Sequence, residues 1–401
     1  MTTKYLYLKN SLQKKNIKKN LSKDFLKFFN ELNSEIKNNN KTLNVLNKEF
    51  KLNFKLKDLK KFKKYKTIAI IGMGGSILGA EAIYNFLEKK INKKIYFFND
   101  LDINEISSFK KKENYQKVLF LIISKSGNTI ESLSNFFAFK ILKKNAKNII
   151  IISEQKNNTL LSLSKKFNLF FIEHKKNVGG RYSVLSEVGI VPAYLMGVNI
   201  FKLRSNIRKF LEKKNISFLK ESSIKLSSFI ESKKFNNLVF LNYAPELNKF
   251  LFWCQQLIAE SLGKKGKGFF PVISTAPKDH HSLLQLYIDG PRDKLFHVFS
   301  LENRSSEKLN LKKILNKKNF LDNKRLDTIK KAQKDALILS LRENKIPYRE
   351  FKIKEINEQV LGELFSYFML ETVMIGKIIK SNPYTQPAVE QVKIYTKKLL
   401  S

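Results

Sequence analysis

Ser124, Lys125, Ser126 and Thr129 cluster around Gly127, so three hydroxyls and an ammonium share one short stretch. Glycine lets the backbone turn tightly there, and main-chain N–H groups join the side-chain donors around an anion. The preceding run, Val118–Ile123, is apolar and rich in β-branched residues, and it reads as a strand buried on both faces. The following residues carry a helical pattern to about Lys144. Strand, polar loop and helix start together point backbone N–H groups and the positive end of a helix dipole at an anion. The loop reads as a phosphate cradle. In isolation the same residues also describe hydroxyls capping a helix, so the rest of the chain decides between the two.

Three further stretches carry chemistry. Gly72-Met73-Gly74-Gly75-Ser76 lies between a strand pattern and a helix pattern, but Ile77 and Leu78 stand where a dinucleotide fingerprint needs its third glycine. A second anion-facing loop fits better than NAD. Gly179-Gly180-Arg181-Tyr182-Ser183 brings the backbone close to a ligand beside a planar cationic fork, in a chain that uses lysine almost everywhere else. Glu260 stands where an apolar helix pattern breaks into glycines, a position for a general base. His280 and His281 are neighbours and so point apart, which makes them poor joint metal ligands, and no Cys/His set or HExxH is present. Metal catalysis is not expected.

Composition sets the class. The 401-residue chain is 43% hydrophobic and 12% aromatic, a globular balance long enough for two domains. No secretory signal and no membrane-length apolar run is read in it. A single cysteine, Cys254 beside Trp253, excludes an intramolecular disulfide and fits a reducing cytoplasm. The net charge of +41 invites a nucleic-acid reading. Only eight of the 76 basic residues are arginine, however, and the lysines are scattered without a nucleic-acid motif. No specific nucleic-acid partner is expected.

The elements that must position these residues alternate. Strand patterns near 67–72, 95–99, 118–124, 149–153 and 169–173 are separated mostly by helical ones, which predicts a parallel, doubly wound sheet. A second series runs through 238–241, 269–273, 295–300 and 348–353, with a boundary between the halves near 195–235. Lysine-rich helices are expected over 1–66, and a last long helix from Glu358 to about Lys380.

Six motifs then stand together: IGMGGSILGA (71–80), ISKSGNTIES (123–132), GGRYSVLSEVG (179–189), AESLGKKGKG (259–268), HHSLLQ (280–285) and QPAVEQVK (386–393). Their order and spacing resemble the shorter bacterial branch of the glucose-6-phosphate isomerase family over roughly residues 67–395. The resemblance implies an α/β fold of two doubly wound sugar-isomerase (SIS-type) domains with mainly parallel sheets and helical N- and C-terminal extensions. The corresponding divisions are 1–66, 67–200, 201–380, and 381–401 returning to the active site. It implies a cytoplasmic homodimer, without cofactor, that interconverts glucose 6-phosphate and fructose 6-phosphate through a cis-enediolate.

By the same resemblance, Ser124, Lys125, Ser126 and Thr129 hold the sugar phosphate, with Gly75 and Ser76 lining the pocket and Gln386 on the phosphate side. Glu260 moves the proton between C1 and C2, and Arg181 faces the developing enediolate oxygens. His281 opens the ring from across the dimer interface, assisted by Lys393. Four positions depart from the family pattern: Glu187, Ala259, Thr385 and Ala388. The rival readings are a dual phosphoglucose/phosphomannose isomerase or a related isomerase with a shifted sugar preference, a phosphosugar-binding regulator and, on net charge alone, a nucleic-acid-binding protein. The regulator needs the hydroxyl loop but not Glu260, His281 and Lys393 together.

Overall fold

The computed structural model describes residues 1–12, 20–302, 307–311 and 319–401. Among these residues the strands are β1 (Leu6–Ser11), β2 (Thr67–Ile71), β3 (Lys94–Phe98), β4 (Val118–Ile123), β5 (Ile149–Ser153), β6 (Phe170–Glu173), β7 (Asn237–Asn242), β8 (Phe270–Thr275), β9 (Lys294–Leu301) and β10 (Tyr348–Ile353). They form two five-stranded sheets, ordered β3-β2-β4-β5-β6 and β1-β10-β9-β7-β8. Every pairing is parallel except that of β1 with β10. The continuous apolar runs of β2, β4 and β5 are buried throughout, as strands covered by helices on both faces must be.

The first sheet winds outward from β2 to β3, then crosses back to β4 on the other side of β2. Winding therefore reverses between β2 and β4, where open α/β sheets leave a crevice outside the strand ends. Ile71 pairs with Ile122, so the Gly72–Ser76 turn and the Ser124–Thr129 loop leave the same sheet edge side by side. The doubly wound parallel sheet expected from the alternating pattern is present.

The N-terminal segment needs a correction. The sequence predicts one to three helices and no strand over residues 1–66, but Leu6 and Leu8 are buried while Tyr7 and Lys9 are only partly so, a strand's period of two. β1 runs antiparallel along the edge of the second sheet, with Leu6 opposite Ile353. The helix expected next is present as Asn20–Lys37. The helix after the phosphate loop, Ile130–Ala138, stops short of Lys144; Lys140 just beyond takes a left-handed φ of 55°.

One apolar core joins the two halves. Helix Leu78–Leu87 packs against helix Asn248–Leu262, which in turn packs against Glu358–Ile378, a helix buried on nearly every side. Lys249 Nζ donates to Glu81 Oε1 at 2.9 Å across the first of these contacts. The Asn248–Leu262 helix, which carries Glu260, is thereby fixed against the helix that follows the glycine turn.

Candidate active site

Arg181 lies in the 3₁₀ turn Gly180–Leu185 and is 3% exposed. A buried guanidinium is stable only if its N–H groups are satisfied. Nε donates to Ser261 Oγ at 2.8 Å, and Nη1 to Glu260 Oε2 at 3.1 Å. Nη1 also donates to Gln386 Oε1, while Nη2 donates to the carbonyls of Pro383 (2.7 Å) and Thr385 (3.2 Å). Three stretches far apart in sequence thus close on one side chain.

The two double-glycine motifs explain each other. A Cβ on Gly75 would lie 2.2 Å from the carbonyl carbon of Gly180, so the Gly72–Ser76 turn and the arginine turn touch backbone to backbone. Ser183 Oγ donates to the Gly75 and Gly180 carbonyls across that contact, at 3.3 and 2.6 Å.

Glu260 is partly exposed, its side chain 27% accessible beside the nearly inaccessible Arg181. Its second oxygen, Oε1, accepts from Gln256 Nε2 at 3.0 Å. Gln256 was missed in the sequence, although it lies one helical turn before Glu260 and so on the same face. It also abuts Gly74, whose φ is +51°, and its own Oε1 is buried without a hydrogen-bond partner among the described residues. The arrangement is a carboxylate aimed by an amide on one oxygen and a cation on the other.

The hydroxyl loop is built as its residue types require. Ser124 Oγ and Thr129 Oγ1 lie 2.8 Å apart, with Ser126 Oγ 3.4 Å from Thr129. Gly127 takes φ +68°, and a Cβ there would run into Asn158. Thr129 precedes the helix Ile130–Ala138 but makes no capping bond, so the helix N-terminus is not closed by its hydroxyl. Lys125 Nζ donates to the Lys176 carbonyl at 2.9 Å and lies 3.6 Å from Glu154. Burial lowers the Lys125 pKa, opposed by Glu154 and reinforced by Lys156 and Arg181, which places the loop within electrostatic reach of the guanidinium.

Gly75, Arg181, Glu260 and Gln386 are thus linked by direct contacts, and the loop of Ser124, Lys125, Ser126 and Thr129 leaves the sheet beside the turn that carries Gly75 and Ser76. Gln386 accepts from Arg181 Nη1. His281 and Lys393 are not brought there within one chain. His281 is exposed at the end of the 3₁₀ turn Lys278–His281, while its neighbour His280 is held by Tyr243 Oη at 2.6 Å. Lys393 lies on helix Ala388–Leu400, which buries no residue, and its Nζ donates to Glu390 at 2.7 Å.

The departures also find places. Thr385 serves Arg181 through its backbone carbonyl, so its side-chain type is free. Ala388 opens the terminal helix, a role alanine fills well. Ala259 offers its carbonyl to Gly263 N at 2.8 Å, closing the helix that bears Glu260. Glu187 is fully buried and accepts from Asn53 N at 2.8 Å, and burial raises its pKa.

A separate cavity of about 440 Å³ opens beyond the ends of β7 and β9, bordered by Tyr243, Ser300, Lys334 and Lys352. Three of its lysines are engaged: Lys331 and Lys334 with Asp335, the latter at 3.0 Å, and Lys352 with Glu302. The unlike groups able to share a reaction gather at the first sheet.

Comparison with known proteins gives the family and the fold. The Phosphoglucose isomerase family model matches residues 34–275. The glucose-6-phosphate isomerase of Methanocaldococcus jannaschii is 34% identical over 82% of this chain and 83% of its own length. That of Campylobacter jejuni is 32% identical over 84% and 86%, respectively. The crystal structure of a glucose-6-phosphate isomerase from Chlamydia trachomatis shares the fold, with a TM-score of 0.78 at 15% identity, covering 98% of this chain and 88% of that one. The chain belongs to the phosphoglucose isomerase family.

Proposed function

We propose that the protein is a glucose-6-phosphate isomerase and assign its proton transfer to Glu260. The observation that carries the assignment is the Arg181–Glu260 pair at 3.1 Å, set beside the sheet edge that bears the Ser124–Thr129 hydroxyls. The hydroxyl loop and Lys125 take the sugar phosphate, with Gly75 and Ser76 at its margin. Glu260 removes the C2 proton of the open-chain aldose, and the electron pair forms the C1=C2 bond of the cis-enediolate. Return of a proton to C1, with transfer of one from O2 to O1, gives the ketose. Arg181 offsets the negative charge that develops on the enediolate oxygens, where a fixed cation in a water-poor site acts most strongly. No step calls for a cofactor.

Ring opening falls to His281 of a second copy, with Lys393 assisting, in a homodimer. Support comes from the exposure of His281 next to a His280 already engaged by Tyr243. The single cysteine, Cys254, is buried and free, which suits a cytoplasmic location. No described helix is long and apolar enough to cross a membrane.

The test is incubation of the purified protein with fructose 6-phosphate in deuterated buffer, followed by NMR. Glucose 6-phosphate with deuterium at C2 in part of the product is expected. Failure to form glucose 6-phosphate overturns the assignment.

A further inference from the structure

The AESLGKKGKG motif holds three lysines and three glycines just past Glu260, and none of the lysines has a part in the chemistry above. In the structure the ammonium groups of Lys264 and Lys267 are committed to main-chain carbonyls. Helix Asn248–Leu262 ends at Gly263, and the chain folds back so that Lys264 N donates to Lys267 O (3.2 Å) and Lys267 N to Lys264 O (3.0 Å). Gly266 and Gly268 take φ of +69° and +118°, and a Cβ on Gly268 would lie 2.9 Å from the Gly263 Cα, so the turn is tight.

This turn presents both lysines to the chain just before the segment that meets Arg181. Lys264 Nζ donates to the Ser261 carbonyl at 2.9 Å and to the Asn382 carbonyl. Lys267 Nζ donates to the Ile379 carbonyl at 3.1 Å and pairs with Glu231 at 2.7 Å. Immediately after Asn382 come Pro383, Thr385 and Gln386, which together supply three of the acceptors around Arg181. On its other side the segment is fixed by Tyr182 Oη to the Pro383 carbonyl at 3.1 Å, and by Tyr384 Oη to Glu35.

We propose that the 263–268 turn is a clamp, and that Lys264, supported by Lys267, is a positioning residue that holds the 382–386 strap on Arg181 and so aims the guanidinium. The proposal rests on the isomerase reading above. Bonds from an ammonium to a carbonyl are charge-assisted and stronger than neutral ones. Loosening them frees the strap, and Arg181 then loses acceptors that keep it in register with Glu260. The hydroxyl loop lies on other elements and is untouched, so the loss falls on the chemical step and not on substrate capture.

A second property makes the role separable from general stability. Burial brings the Lys264 pKa down to about 8, with Arg181 lowering it further and Glu260 opposing. The other charges around the strap include the Lys267–Glu231 pair and, beneath Tyr384, Glu35, which Lys377 pairs at 2.7 Å while also meeting Glu31 at 3.2 Å. Loss of the Lys264 proton in mildly alkaline solution weakens the clamp.

The experiment is steady-state kinetics of the full-length protein with fructose 6-phosphate between about pH 6.5 and 9.5, for wild type, Lys264→Met, Lys264→Arg and Lys267→Met. Lys264→Met is expected to lower kcat by about 10- to 100-fold with KM within about twofold, on the scale of a misplaced catalytic group. Lys267→Met shows a smaller loss of the same kind. Lys264→Arg, which keeps the charge and does not titrate, restores most of kcat and flattens the alkaline limb. An unchanged kcat in Lys264→Met, an effect on KM alone, or a wild-type alkaline limb in Lys264→Arg overturns the clamp. If Lys264→Met does not fold, Lys267→Met and the Lys264→Arg profile decide. An inactive wild type speaks against the isomerase reading instead, so the two failures are distinct.

Discussion

Arg181 grips two consecutive residues of one helix: its Nη1 donates to Glu260 and its Nε to Ser261 Oγ, at 3.1 and 2.8 Å. The cation therefore orients the base while it waits for the enediolate charge. Sharing one guanidinium between the base, the helix end and the 383–386 strap makes the site a single mechanical unit.

Arg181→Lys tests that unit. A lysine keeps the charge but cannot reproduce a planar fork reaching five acceptors. It removes donors from the Thr385 carbonyl and Gln386 and leaves the Pro383 carbonyl and Ser261 Oγ with Tyr182 Oη as their partner. Turnover should fall by at least about 100-fold, with a lower melting temperature. Retention of wild-type kcat by the lysine variant would mean that charge alone suffices.

Gln256→Leu removes the amide that fixes Glu260 Oε1 from the opposite side at 3.0 Å. Leucine fits a similar volume on a helix, so the fold should hold. A fall of about tenfold in kcat/KM is expected from a carboxylate left free to rotate. Unchanged kinetics would reduce the contact to packing.

Gly75→Ala and Gly127→Ala separate the two loops. The first forces a Cβ to within 2.2 Å of the Gly180 backbone and pushes the arginine turn away; the second meets Asn158 at a left-handed φ of +68°. Gly75→Ala should abolish turnover and destabilise the protein by more than about 1 kcal/mol. Gly127→Ala should act chiefly on KM for the sugar phosphate. Steady-state kinetics on both, with melting curves, check the division.

Much of this was legible in the sequence because local chemistry and global placement agree. The apolar runs of β2 and β4 and the loops after them announce a parallel sheet and an anion site without any long-range information. What was not legible depends on contacts distant in sequence. Nothing in Gln386 or Pro383 says that they meet Arg181, and nothing in the lysine-rich 263–268 turn says that its donors serve carbonyls more than a hundred residues on. β1 was missed because its pairing partner, β10, lies at the other end of the chain. His281 and Lys393 carry their expected roles from motif resemblance alone, since one chain does not bring them to the crevice.

His174 provides a pH test of the fold. It is 1% exposed beside the Lys125 loop, and burial, with Lys125 adding to it, lowers its pKa to about 4. The unfolded chain binds this proton near pH 6.5, so its contribution is full above that pH and is lost as pH falls toward about 4. The loss is about 1.4 kcal/mol per pH unit inside the window. Urea unfolding at pH 7 and pH 5 should show wild type losing roughly 1–2 kcal/mol more than His174→Asn. Equal losses would contradict a buried neutral imidazole.

The most direct measurement is turnover of fructose 6-phosphate to glucose 6-phosphate by wild type and by Glu260→Gln, without added cofactor or metal. Glutamine preserves the shape and a hydrogen-bonding oxygen but cannot take the C1 proton of the ketose. The account predicts an active wild type and a loss of at least about 100-fold in the variant, with sugar phosphate still bound. Full activity in Glu260→Gln would contradict it and place the base elsewhere.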